Sequence, residues 1–132
     1  MHPIHILVAD PHPLVRDIAS HRFAEVDGFQ VIGTASSGID TLQAVSDCRP
    51  DVLLLGLDFQ DVHGVRVITM LRNRHEPLKI IALGDEKNQD YIRCMLGAGA
   101  DAYLIKEEAN DLLTETVTRV VQGENTALPK SR

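Results

Sequence analysis

The sequence predicts an α/β protein built on one parallel β-sheet with helices on both faces, and three features carry that prediction. Short apolar runs alternate with segments of helical period, and this happens five times along the chain. The runs are nearly continuous, most clearly VLLL at 52–55 and IIAL at 80–83, as expected of strands buried on both sides. Helices of about 10 to 13 residues between strands imply right-handed crossovers, which leave neighbouring strands parallel.

The first strand is IHILVA at 4–9. From Pro13, which suits a first helical turn because its missing N–H costs nothing there, Leu14, Val15, Ile18, Ala19 and Phe23 mark one helix face. FQVIGTA at 29–35 is the second strand, followed by a helix with Ile39, Leu42 and Val45 inward. DVLLL at 51–55 is the third, and Val67, Ile68 and Leu71 form the stripe of its helix. KIIAL at 79–83 precedes a helix marked by Tyr91, Met95 and Leu96. AYLI at 102–105 precedes Leu112, Leu113, Thr116, Val117, Val120 and Val121. Five such units make a flavodoxin-like, doubly wound (βα)5 three-layer fold with sheet order 2-1-3-4-5. Residues 1–122 are read as this one domain, and 123–132, polar and turn-rich, as a tail or the start of a linker.

A chain of 132 residues is long enough for one core and too short for two domains. No apolar run approaches a membrane span, and the start MHPIHILVAD lacks the pattern of a signal peptide, so a cytoplasmic protein away from membranes is expected. The net charge of −6 and the scattered Lys and Arg argue against direct nucleic-acid binding by this chain. Cys48 and Cys94 have no ligand spacing and read as reduced packing residues. The six histidines, at 2, 5, 12, 21, 63 and 75, show no metal-ligand pattern, and no metal is expected of them.

Ligands of open parallel sheets bind outside the carboxyl ends of the strands, where strand order reverses. That rule selects Asp10-Pro11 after the first strand, Gly56 after the third, Gly84-Asp85 after the fourth and Lys106 after the fifth. Asp10 and Lys106 lie on either side of the central strand and are expected to meet as an ion pair; the plainer alternatives are a helix-capping Asp10 and a solvated Lys106. Gly56 and Gly84 remove side chains beside Lys106, which fits either relaxed sequence or a small pocket for an anion or metabolite. No glycine-rich phosphate loop supports a nucleotide, because GAGA at 97–100 precedes a strand and not a helix.

The segments HILVADPHPLVRD, DVLLLGLDFQDVHG, KIIALGD and GAGADAYLIKE resemble the receiver domains of bacterial response regulators, particularly those followed by a helix-turn-helix DNA-binding module. The likeness runs from about residue 4 to 122 and implies specific expectations at each strand end. In such receivers two adjacent acids after the first strand help to bind Mg²⁺, an Asp after the third accepts a phosphoryl group, a Ser or Thr ends the fourth, and a Lys ends the fifth. This chain has Asp10 as the first acid, Pro11 at the second, Gly56 at the acceptor position, Gly84 at the hydroxyl position and Lys106 as the Lys, with Gly64 fixing the register. Phosphoryl transfer to a receiver needs a carboxylate nucleophile and a cation held by several oxygens, so neither aspartyl phosphorylation at 56 nor Mg²⁺ binding is expected. Asp58 would lie about 6.6 Å beyond Gly56 on an extended strand, past the meeting point of Asp10 and Lys106, and reads as a solvated loop residue, as does Asp61. Tyr103 matches the family aromatic that changes rotamer with the strand 4 hydroxyl. With Gly84 that coupling should be lost, leaving Tyr103 either an interface residue or a packing residue.

These expectations lead to a pseudo-receiver of two-component, phosphorelay-type signalling that acts through protein contacts, without aspartyl phosphorylation and without enzymatic activity. The resemblance implies a homodimer, paired either through the face of the fourth helix, fifth strand and fifth helix or through the first and fifth helices, with Leu14, Ile18, Tyr103 and Val117 as the residues to look at. If this chain is a piece of a longer regulator, DNA binding and transcription regulation would belong to that whole protein, with the tail from Gln122 as its linker. The rivals are a receiver phosphorylated at Asp58 as a displaced acceptor, and a small-ligand sensor or flavin carrier on the same fold.

Overall fold

The computed structural model describes residues 2–123, so the proposed tail from residue 124 onward lies outside the described residues. Strands β1 (Ile4–Ala9), β2 (Phe29–Ala35), β3 (Val52–Gly56), β4 (Lys79–Gly84) and β5 (Ala102–Ile105) alternate with helices α1 (Pro13–Ala24), α2 (Gly38–Cys48), α3 (Gly64–Asn73), α4 (Gln89–Ala98) and α5 (Lys106–Val121). The sheet order is β2-β1-β3-β4-β5 with every pairing parallel, as the sequence predicts. The strand ends agree with the sequence reading to within one residue; β3 and β4 each extend one residue further, into Gly56 and Gly84. No helix among the described residues is long and apolar enough to cross a membrane.

Alternation along the strands divides the core into two. Leu7, Leu53, Leu55, Ile80, Tyr103 and Ile105 face one cluster, completed by Val67, Ile68 and Leu71 of α3 and by Ile92 and Met95 of α4. Ile6, Val8, Leu54, Ile81, Leu83 and Leu104 face the other, completed by Ala19 and Phe23 of α1 and Leu113, Val117 and Val120 of α5. Val52 to Leu55 are fully buried, which explains why this central strand reads as an unbroken apolar run. Burying one such leucine contributes about 2 kcal/mol.

Several helix positions differ from expectation. Leu14 (68% exposed) and Ile18 (46%) lie on the outside of α1, and Ile39, expected inward, is 60% exposed at the start of α2. In each helix the next residues in the stripe, Ala19 and Phe23 or Leu42 and Val45, make the contact with the sheet. Val121 is also outside. Cys48 and Cys94 are exposed, not the buried packing residues expected of them.

Candidate functional site

Asp10 follows β1 directly, and its N–H continues the ladder to the Ala35 carbonyl at 3.0 Å. Its side chain is completely buried at the carboxyl end of the sheet. Lys106 begins α5 and brings its ammonium to 3.2 Å from Asp10 Oδ2, the convergence expected from the strand ends. Asp10 Oδ1 accepts the His12 backbone N–H at 2.9 Å and faces His12 Nδ1 at 3.0 Å. Arg16 donates to the Asp10 carbonyl at 2.8 Å. The buried carboxylate is therefore bracketed by an ammonium on one oxygen and by His12 on the other. Burying a charge of this kind is tolerable only when it is paired and hydrogen-bonded.

Asp58 departs from the sequence reading. Its Oδ2 lies 3.9 Å from Lys106 Nζ, although half the side chain remains exposed. The extended path assumed for it stops at Gly56, and the Gly64 N–H closes back onto the Leu57 carbonyl at 3.2 Å. Leu57 and Phe59 turn into the core, so Asp58 between them points back toward the ammonium. The site thus holds two carboxylates around Lys106, not one.

Asp61 is also more than a solvated loop residue. Its two oxygens accept the N–H groups of Gly38 and Ile39, both at 2.9 Å, at the start of α2. Those hydrogen bonds, Ile39 first, hold its carboxyl below the usual carboxylate range. Pro11, His12, Ser36, Ser37, Asp58, Gln60 and Asp61 line an open depression of about 490 Å³ beside this cluster.

The two glycines do not leave a pocket. A Cβ at Gly56 would overlap the Asp10 carboxylate, and a Cβ at Gly84 would lie 2.5 Å from the Tyr103 hydroxyl and 3.2 Å from Leu57. Neighbouring side chains thus fill both volumes, which removes the basis for an enlarged crevice. Tyr103 is wholly buried, donates its hydroxyl to the Glu86 carbonyl at 2.8 Å and meets the Tyr91 ring edge-on at 6.2 Å. Burial, followed by the neighbouring Tyr91, pushes its hydroxyl up to about 12. Of the two roles left open for Tyr103, packing is the one the structure displays. Val117 is likewise fully buried, so neither belongs to an accessible face; Leu14 and Ile18 remain on the surface of α1.

The donor set suits a magnesium ion poorly. Mg²⁺ takes six oxygens in near-octahedral geometry. Here the buried Asp10 carboxylate has an ammonium on Oδ2 and His12 nitrogens on Oδ1, the second carboxylate, Asp58, stands 3.9 Å from that ammonium, and Pro11, Gly56 and Gly84 offer no side-chain oxygen. Among the described residues no group of three or more His, Cys, Asp or Glu is placed to hold a metal ion.

His12 is the site residue that sequence reasoning passed over. The signal was present, because Asp10-Pro11-His12-Pro13 places a histidine at the N-cap of α1, two residues from the buried acid.

Comparison with known proteins agrees with this architecture. The chain is 33% identical over 121 residues to a nitrate/nitrite response regulator protein homolog of Haemophilus influenzae, covering 90% of this chain and 57% of that protein. It is 31% identical over 120 residues to the transcriptional regulatory protein DegU of Brevibacillus brevis, covering 91% and 51% respectively. The chain therefore spans little more than half the length of these relatives. Among solved structures, the signal receiver domain of the response regulator NarL from Mycobacterium tuberculosis superposes with a TM-score of 0.89 at 22% identity, over 94% of this chain and all of that one. The isolated receiver domain of RcsB from Salmonella enterica serovar Typhimurium, solved with a beryllofluoride phosphomimetic, gives 0.87 at 17% identity, over 98% and 95%. The model of the response regulator receiver domain matches residues 6–118, and with the sheet order it establishes that this chain belongs to the receiver domains of two-component response regulators.

Proposed function

We propose that this receiver works as a protein interaction module that signals without aspartyl phosphorylation and without Mg²⁺ or enzymatic turnover. The observation that carries this reading is the Asp10 carboxylate lying where a side chain at position 56 would begin, with Lys106 already paired to it at 3.2 Å. A phosphoryl group arriving there would find no nucleophile at 56, no second acid at Pro11 and no hydroxyl at Gly84. Beside Asp10 the Lys106 ammonium faces Oδ2 and His12 faces Oδ1.

A second reading has one observation in its favour. Asp58 is exposed and comes within 3.9 Å of Lys106, so a displaced aspartyl acceptor has the right charge partner. Incubation of the chain with acetyl phosphate and Mg²⁺, followed by intact mass and hydroxylamine treatment, separates the two. The interaction-module reading expects no hydroxylamine-labile phosphoryl group; a labile group that disappears in Asp58→Asn would establish Asp58 as acceptor. Amide NMR with Mg²⁺ and beryllofluoride is expected to leave Asp10, Gly56 and Lys106 unshifted.

The interaction is assigned to the face of α1 beside α5, where Leu14 and Ile18 are exposed and a groove of about 510 Å³ runs past Ile18, His21, Arg22 and Asn110. A homodimer across this face is the simplest arrangement, because a two-fold axis pairs one apolar patch with its own copy. The relatives' greater length supports a further module in the whole protein, and regulation of transcription would reside there. Cytoplasmic signalling fits this role.

A further inference from the structure

We infer that His12 is a phosphoryl acceptor: the Asp10–His12 pair presents imidazole Nε2 as a nucleophile toward acyl phosphates. The inference rests on the reading that no aspartate of the pocket accepts a phosphoryl group, and adds a different acceptor to it.

The geometry separates the two roles that such a pair needs. Asp10 is wholly buried, while the His12 side chain is 57% exposed, so the orienting group is shielded and the ring is open. Asp10 Oδ1 can only accept, and at 3.0 Å it selects the tautomer with the proton on Nδ1. Lys106 Nζ, 3.4 Å from the same nitrogen, has its charge matched by Asp10 Oδ2 and does not need the imidazole lone pair. That leaves the lone pair on Nε2. Pro11 and Pro13 restrict the backbone on either side, which limits the positions the ring can take.

The surroundings act on an added anion in both directions. His12 is the N-cap of α1, whose first turn carries the positive end of the helix dipole. Lys106 is ion-paired with the Asp10 carboxylate and Arg16 donates to the Asp10 backbone carbonyl, so two cations lie in the same cluster. Asp58 and Asp61 line the same depression and oppose the approach of a phosphoryl group. Among the described residues, His21 offers the nearest comparison. It faces Glu25 at 3.5 Å with both groups exposed, and so lacks a shielded orienting carboxylate.

In the step, the Nε2 lone pair attacks phosphorus as the bond between phosphorus and the acyl oxygen breaks. The carboxylate leaves with that electron pair. The Nδ1 proton stays in its hydrogen bond to Asp10, whose charge balances the positive charge gained by the ring. The product is a phosphoramidate on His12.

Acid lability distinguishes this product from an acyl phosphate, which hydroxylamine cleaves. The chain treated with acetyl phosphate is expected to gain one phosphoryl group by intact mass, stable to hydroxylamine and lost in mild acid. Peptide mapping at neutral pH should place it on His12. The group should be absent from His12→Gln, which alters an exposed side chain, and should form faster in Asp58→Asn. No phosphorylation, or labelling of His12→Gln equal to that of the unaltered chain, overturns the inference while leaving the interaction-module reading intact. A hydroxylamine-labile group on Asp58 overturns both.

Discussion

A methylene at Gly84 would sit 2.5 Å from the Tyr103 hydroxyl, and that hydroxyl is the group that fastens the Glu86 carbonyl. Gly84→Ser is therefore expected to force Tyr103 outward and to cost about 1–3 kcal/mol, the usual range for overpacking a core, read as a lower urea midpoint. The same substitution should show itself in the phenol. Burial holds the Tyr103 hydroxyl at about 12, so the neutral ring's contribution to stability is fully present below pH 10, where an unfolded tyrosine ionises, and is lost as pH rises through 12. In Gly84→Ser the ionisation is expected to fall toward 10, visible by alkaline difference absorbance. An unchanged phenol titration would mean that Tyr103 stays inside and another group yields.

Helix α2 depends on a residue 22 positions away in sequence. Asp61 accepts from Ile39 and Gly38, and its carboxyl is held below the usual range by those bonds. A depressed carboxyl stabilises the fold above the unfolded value, near pH 4, and that contribution disappears as pH falls through the folded value. Asp61→Asn is expected to be less stable at neutral pH and to approach the unaltered protein in acid, as measured by urea unfolding at several pH values. This contact illustrates where sequence reading stops. The strands were legible because VLLL and IIAL must be buried on both faces, and the Asp10–Lys106 pair was legible because topology alone carries both residues to one end. Asp61 reaching α2, Asp58 turning back to Lys106 and Arg72 of α3 reaching Gly99, Glu76, Leu78 and Asp101 depend on loop paths, which periodicity does not encode. Ile39 and Leu14 misled for a related reason: their spacing matches the buried stripe, but they stand at the first turn, before the helix meets the sheet.

Seen as a whole, the molecule buries Tyr103 and Val117 and leaves Leu14 and Ile18 as the apolar surface of α1, so association would be written in those two residues. The double substitution Leu14→Glu and Ile18→Glu is expected to convert the proposed homodimer into a monomer in sedimentation equilibrium while leaving the thermal midpoint of the monomeric fold within a few degrees, because neither side chain belongs to the buried core. A species of unchanged mass would remove this face from the account. The filling of positions 56 and 84 by Asp10 and Tyr103 has a last consequence, for anyone wishing to introduce side chains there. Placing a carboxylate at 56 is not a point change: its Cβ collides with the Asp10 carboxylate, and a Cβ at 84 collides with the Tyr103 hydroxyl. Each change therefore asks a different neighbour to give way, Asp10 at 56 and Tyr103 at 84.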